Sequence, residues 1–305
     1  SIIGNHISVG FFIFLIGSFV IGVAATILQV VLNLYLTVCR IGKTTALQRQ
    51  MIGGTSNSIG MAIAPLVISY LIFHGTPLHD IVTKQFIIPL IILILIMLII
   101  TLLVGKTQMP SIDNVRQAPG EKFDKSVWSF RNLKLGVWGI FFYVGIEVAV
   151  GANVNMYASE LGGSFASNAT HMAALYWGLL LLGRFLGSFI KQVPSEKQLV
   201  IASIGAIVLL VLAMLTANPW ILTLIGFFHS IMWPAIFTLA TDQLGKYTTK
   251  ASGVLTMGVI GGGIIPLLQG IFADVMGGNW LWTWLLVIAG EAYILYYGLN
   301  GYKQH

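Results

Sequence analysis

From Ile87 to Val104 the chain reads IIPLIILILIMLIITLLV, without one ionisable side chain. A run of this length, helical at about 1.5 Å per residue, crosses most of a hydrocarbon core roughly 30 Å thick. No soluble fold has use for it. The rest of the sequence agrees, since 57% of the 305 residues are apolar and 9% are charged, against about 25% charged in soluble domains. In all, apolar runs lie at 9–38, 50–74, 86–105, 135–158, 171–190, 199–217, 219–243, 251–273 and 281–300. They predict an all-α membrane protein with nine transmembrane helices. Gly, Asn, Gln and Pro interrupt several of them, which membrane helices tolerate where neighbours satisfy the freed backbone groups. Asn218-Pro219 and Gly277-Gly278-Asn279 mark tight turns between spans.

The net charge of +6 forms no continuous patch, so no nucleic-acid partner is expected. The basic residues report orientation instead. Arg40, Lys43 and Arg49 follow the first span, and Lys106, Arg116, Lys122, Lys125, Arg131 and Lys134 follow the third. With alternating loops, every Lys and Arg except Lys84 and Arg184 falls on one side. The positive-inside rule places that side, the 106–134 loop and the carboxyl end in the cytoplasm. The first residue then lies outside. With no signal peptide ahead of it, this is expected of a chain whose first three helices lie upstream. Two six-helix halves joined by a long cytoplasmic loop are the plan of transporters built from 3+3 inverted repeats. Cys39 is the single cysteine, so no intramolecular disulfide forms.

A charge at the centre of a span costs about 2.5–3.5 kcal/mol on insertion scales, so each intramembrane polar residue marks a partner or a passage. Glu147 stands near the middle of its span, sharing a face with Tyr143, Gly151 and Val154. Its carboxyl could accept sugar hydroxyls, exchange a proton, or be fixed to a neighbouring helix. Gln29 and Asn33 share a face at i, i+4 spacing, and their amides suit neutral polyols or interhelical bonding. Asn57 lies in GGTSNSIG, where Gly53 and Gly60 suggest close packing. His229 and Trp233 are again i, i+4, just before Pro234, an imidazole and an indole able to meet a pyranose or to pack a kink. Gly262, Pro266 and Gln269 share a face that reads first as hinge and packing. Trp280, Trp282 and Trp284 suit an aromatic belt. Arg184 and Asp242, towards the cytoplasmic ends of their helices, are candidates for an ion pair at an inner gate. Glu291, a second intramembrane acid, ranks below Glu147 because nothing else polar gathers on its face. No Walker motif, HExxH or metal-ligand spacing occurs. No enzyme, metal or cofactor is expected, and any uphill transport must draw on a gradient.

HSIMWPAIFTLATDQLGKYTTKASGVLTMGVIGGGIIPLLQGIFAD, residues 229–274, resembles the tenth and eleventh helices of the sugar permeases of the major facilitator superfamily, in the fucose:proton symporter family that includes bacterial glucose/galactose transporters. FFYVGIEVAVG at 141–151 and YWGLLLLGRFLGS at 176–188 resemble helices seven and eight. LQVVLNLYLTV at 28–38 and SNSIG at 56–60 resemble helices four and five.

The resemblance implies a major facilitator bundle whose helices four to twelve of twelve are present here. Residues 1–105 would be the second half of the amino-terminal bundle, 106–134 the central cytoplasmic loop and 135–305 the carboxyl-terminal six helices. It implies a monomer in the bacterial inner membrane that takes up a neutral hexose by proton-coupled alternating access. Gln29, where fucose-type members carry an acid, tilts the substrate towards glucose or galactose. Glu147 matches the helix-seven acid and Arg184 the arginine of GRxxGS. Gln29, Asn33, Asn57, Glu147, His229, Trp233 and Gln269 are the substrate candidates, and Glu147, Arg184 and Asp242 the coupling or gating ones. The sequence departs from the family at Leu34, where proline is usual, at His229, where asparagine is, and at Glu291, where an aromatic is commoner. A drug exporter of the same superfamily and a non-transporting sugar sensor are the rival expectations.

Overall fold

The computed structural model describes residues 7–39, 42–67, 87–108 and 123–304. All nine apolar runs contain helix. Arg40, Lys84, Arg116 and Lys122, on which part of the orientation argument rests, lie outside the described residues. The chain divides into two compact units, one of residues 1–29 and 60–111 and the other of 30–59 and 112–305.

Helix α1 runs Ile7–Val38, α2 Ala46–Leu66 and α3 Ile87–Lys106. None of α3 is buried. From Ile87 to Val104 its surface is apolar except at Thr101, which suits lipid tails. The turn from α1 into α2 is held by Arg49. Its guanidinium donates to the carbonyls of Leu36, Thr37 and Thr44 at 2.7 Å each, satisfying helix-end acceptors that have no intrahelical partner. Thr45 and Gln48 close the start of α2 reciprocally: the Thr45 amide donates to Gln48 Oε1 and the Gln48 amide to Thr45 Oγ1.

The carboxyl-terminal helices pack around α4, Arg131–Leu161, which lies against most of the other helices of that bundle. A short α5, Gly163–Ser167, leads to α6, Ala169–Gly187, and α7 follows at Ser195–Thr216. α7 ends on Ala217 in the left-handed region, φ 48°. Asn218 then caps α8, Pro219–His229, by accepting from the Trp220 amide at 3.0 Å, with proline in the first turn where its missing N–H costs nothing. α9, Met232–Thr241, continues the same span after a break at Ser230–Ile231. Pro234 causes that break, because its ring excludes the carbonyl of Ser230 and it has no N–H to offer it. The next span is also segmented: α10, Thr248–Thr256, a 3₁₀ stretch at Met257–Ile260, and α11, Gly261–Val275. α12, Trp284–Tyr296, finishes in a π turn at Tyr297–Gly301.

Lipid offers little hydrophobic force between helices, so close approach and hydrogen bonds hold the bundle. At Gly226 a Cβ would stand 2.2 Å from the Tyr176 carbonyl oxygen, so only glycine lets α8 lie this close to α6. Asn132 Nδ2 lies 3.3 Å from the carbonyls of Leu239, Ala240 and Asp242, covering the end of α9. At the opposite end of α4, Asn153 donates to Gln269 Oε1 at 2.9 Å and Gln269 Nε2 donates to Thr283 Oγ1 at 3.0 Å. Of the three tryptophans expected in a belt, Trp284 is instead a core residue, fully buried with its ring 5.9 Å from that of Tyr157. Trp282 remains outside, 47% exposed.

Candidate functional site

Two carboxyls sit at depth in the carboxyl-terminal bundle, in different surroundings. Glu147 lies midway along α4. Tyr143, one turn earlier on the same face, donates to its Oε1 at 2.6 Å, and Arg184 Nη2 from α6 stands 3.4 Å from the same oxygen. The ion pair is long beside the usual 2.7–2.9 Å of such bonds. Both side chains stay slightly open, 11% exposed for Arg184 and 14% for Glu147. Arg184 also reaches α2: Nη1 donates to Ser58 Oγ at 2.7 Å and lies 3.5 Å from the Gly54 carbonyl, while its Nε is buried without a partner. Gly54 makes room for this, since a Cβ there would press on the Arg184 stem at 3.2 Å. Glu147 Oε2 meets no donor among the described residues and is not sealed from outside. The cluster therefore offers a polar ligand one free carboxylate oxygen beside a loosely held cation.

Glu291 of α12 is fully buried, as is His229 at the end of α8, and Oε1 stands 2.6 Å from Nε2. The other imidazole nitrogen, Nδ1, is 2.7 Å from the Tyr176 hydroxyl, which also lies 3.1 Å from the backbone carbonyl of Glu147. Glu291 Oε2 is buried with no partner. The ring of Tyr143 meets His229 edge-on at 6.2 Å.

The sequence candidates distribute themselves unevenly over this arrangement. Asn33 is buried, and its side-chain amide makes no hydrogen bond among the described residues, while its carbonyl accepts from Gln50 and Thr37. Gln29, one turn earlier on α1, is half-buried and belongs to the other compact unit. Trp233 is half-buried, its ring 6.2 Å from Phe237 and 6.5 Å from Tyr143. Both nitrogens of His229, one turn before Trp233, are engaged by Tyr176 and Glu291. Gln269 likewise has its amide oxygen and nitrogen engaged by Asn153 and Thr283, and it clamps α4 to α11. Asn57 is exposed, and its neighbour Ser58, one turn on from Gly54, is the residue that meets Arg184.

Two expectations need correcting. Arg184 pairs with Glu147 and not with Asp242, which is exposed at the end of α9 with its carboxylate 3.4 Å from Gln243 Nε2. Polar groups do gather round Glu291, but they come from α6 and α8, and the face of a single helix gives no sign of them. Tyr176 was detectable only as a tyrosine in an apolar helix, whose hydroxyl needs a partner once buried.

The Major Facilitator Superfamily family model matches residues 2–265. A "Glucose/galactose transporter" of Brucella abortus is 34% identical over 301 residues, covering 96% of this chain and 72% of the relative. A "Putative glucose/galactose transporter" of Helicobacter pylori is 33% identical over 312 residues, 97% of this chain and 75% of the relative. The L-fucose-proton symporter of Escherichia coli is 27% identical over 292 residues, covering 87% of this chain and 66% of the relative. Among solved structures, the major facilitator transporter FucP in its outward conformation superimposes with a TM-score of 0.81 at 24% identity, covering 95% of this chain and 76% of that one, which speaks for the fold.

Proposed function

The chain belongs to the Major Facilitator Superfamily, and on that footing we propose that it serves the uptake of a neutral hexose, glucose or galactose, by proton-coupled alternating access. The observation that carries this reading is Glu147, held on one oxygen by Tyr143 and Arg184 and open on the other, at the middle of a membrane-spanning helix. Carboxylates accept from sugar hydroxyls, and the guanidinium beside this one can donate to a hydroxyl oxygen. Asn33 adds a free amide, and the half-buried indole of Trp233 a flat apolar surface for the CH face of a pyranose. The names of the Brucella and Helicobacter relatives favour glucose and galactose over fucose, and the name of the Escherichia coli relative supports the proton as coupling ion.

Movement would follow from the bridge at Arg184. A hydroxyl that takes over the Glu147 oxygen competes with a contact already stretched to 3.4 Å, and so loosens the tie from α6 and α4 to Ser58 and Gly54 of α2. Binding shifts the equilibrium only by its different affinity for the two states. The protein would work as a monomer in the bacterial inner membrane with its carboxyl end in the cytoplasm, needing sugar, proton and bilayer but no cofactor. Uptake of labelled glucose, galactose and fucose into liposomes holding the complete gene product tests this. Concentrative uptake of the first two, collapsed by a protonophore, is the expected result. Efflux of amphipathic dyes without hexose uptake would replace it with an exporter.

A further inference from the structure

We propose that His229 and Glu291 form a buried proton-binding site, separate from the open acid Glu147, whose occupancy is passed to the Glu147 site through the hydroxyl of Tyr176. The inference rests on the transporter reading only for its purpose, since the proton site itself follows from the geometry.

Tyr176 has one hydroxyl hydrogen and two acceptors within reach, Nδ1 of His229 at 2.7 Å and the Glu147 carbonyl at 3.1 Å. In the unloaded pair, Glu291 is a carboxylate that accepts from Nε2–H, so Nδ1 is a bare lone pair and claims the Tyr176 hydrogen. The Glu147 carbonyl is then left without it. In the loaded pair, Nδ1–H donates to the Tyr176 oxygen, and the hydroxyl is free to donate to the backbone carbonyl of Glu147. A further hydrogen lies on the 2.6 Å line between Nε2 and Oε1. The two states differ by one proton taken from, or returned to, water, and no other bond changes. A tyrosine hydroxyl placed within bonding distance of both groups matches the loaded state.

Burial points the same way. Both side chains are completely enclosed, and an isolated charge at such depth is far more costly than a neutral or internally compensated pair. The unloaded pair carries a net negative charge with Glu291 Oε2 unpartnered. The loaded pair is neutral overall, and an unpartnered carbonyl oxygen costs less than an unpartnered carboxylate oxygen. Nothing larger than a proton reaches the site. His229 also closes α8 where the span is broken at Ser230–Ile231, the kind of discontinuity at which transporters place their ion sites.

Few other groups can perturb it. From α4 come Tyr143, edge-on to His229, and Glu147. From α6 come Tyr176 and Arg184, the latter already engaged with Glu147 and Ser58. α7 carries ionisable side chains only in its first turn, at Glu196 and Lys197, and α9 has none before Asp242 at its end. α12 itself adds Tyr293, which donates to the Leu135 carbonyl, and Tyr296, and the π turn after it adds Tyr297, which donates to Asn132.

The test is infrared difference spectroscopy on the complete protein in lipid nanodiscs, with hexose affinity measured in parallel across about pH 5 to 9. Wild type should show the carbonyl stretch of a protonated carboxyl that is lost in Glu291→Gln, titrates with pH and shifts when galactose is added. Its hexose affinity should change with pH by at least about fivefold, and Glu291→Gln should flatten that dependence. Should Glu291→Gln fold poorly, Tyr176→Phe gives the second reading: the band stays, and its galactose shift disappears. A band absent from wild type, or a Glu291→Gln protein with the wild-type band and pH profile, overturns the proposal while leaving hexose transport standing. Titration of the band in a protein that moves no hexose would keep the proton site and remove the transport reading.

Discussion

Glu147 on α4 keeps one carboxyl oxygen open with its side chain 14% exposed, whereas Glu291 on α12 sets one oxygen 2.6 Å from a histidine nitrogen and shows no exposure at all. Both are acids in the interior of a membrane bundle. What differs is the reach of the partner. A guanidinium at 3.4 Å from an accessible carboxylate can be displaced and regained, which suits a ligand that comes and goes. An imidazole at 2.6 Å inside a closed shell admits exchange of a proton alone. Intramembrane acids thus cannot be ranked by position in a helix; the width of the opening beside each decides what it can bind.

Substitutions can break or sharpen that contrast. Glu147→Gln should reduce hexose uptake at least tenfold, about 1.4 kcal/mol of lost stabilisation, and wild-type kinetics in this variant would remove Glu147 from the substrate path. Arg184→Lys keeps the charge but loses the planar fork that reaches Ser58 and Glu147 together, so uptake should fall about three- to tenfold. Combined with Glu147→Gln, its effect should be markedly less than additive, since the two groups share one interaction. Additive losses would mean that they act apart. Gly226→Ala places a Cβ against the Tyr176 carbonyl, and overpacking of this kind costs about 1–3 kcal/mol. It should lower the melting temperature in detergent, and the sealed site, which depends on the α6–α8 approach, should suffer before the open one. Gln269→Leu removes the Asn153 and Thr283 bonds, about 1–2 kcal/mol of stability, with hexose affinity retained; a loss of affinity without a loss of stability would return Gln269 to the sugar site. Asp242→Asn, at an exposed position without a cationic partner among the described residues, should leave the melting temperature within about 0.5 kcal/mol of wild type.

The spans were legible because hydrocarbon length is a one-dimensional property: α3 can be read directly from Ile87–Val104. Packing was less so. α3 and α4 are both long and apolar enough to cross a bilayer, yet only α4 carries the glycines, tyrosines and asparagines that bury it against neighbours. Tyr143 could be placed beside Glu147 because i, i+4 spacing is local. The partners of Glu291 could not, because His229 and Tyr176 lie 62 and 115 residues away in the chain and meet it only through the packing of separate helices. The same limit led to Asp242 being matched with Arg184: two opposite charges at similar helix ends say nothing about which side of each helix faces which. A third group, Glu147, was closer to the guanidinium than either loop position suggested.

One guanidinium touches α2, α4 and α6 at once. When an incoming hydroxyl displaces it from its single negative contact, what remains is a cation facing only neutral oxygens, a poorly solvated arrangement that favours retreat towards water. On the proposed hexose reading, arrival of cargo and release of the brace across these helices would be one event. On that reading the molecule would need no separate sensor to know that it is loaded.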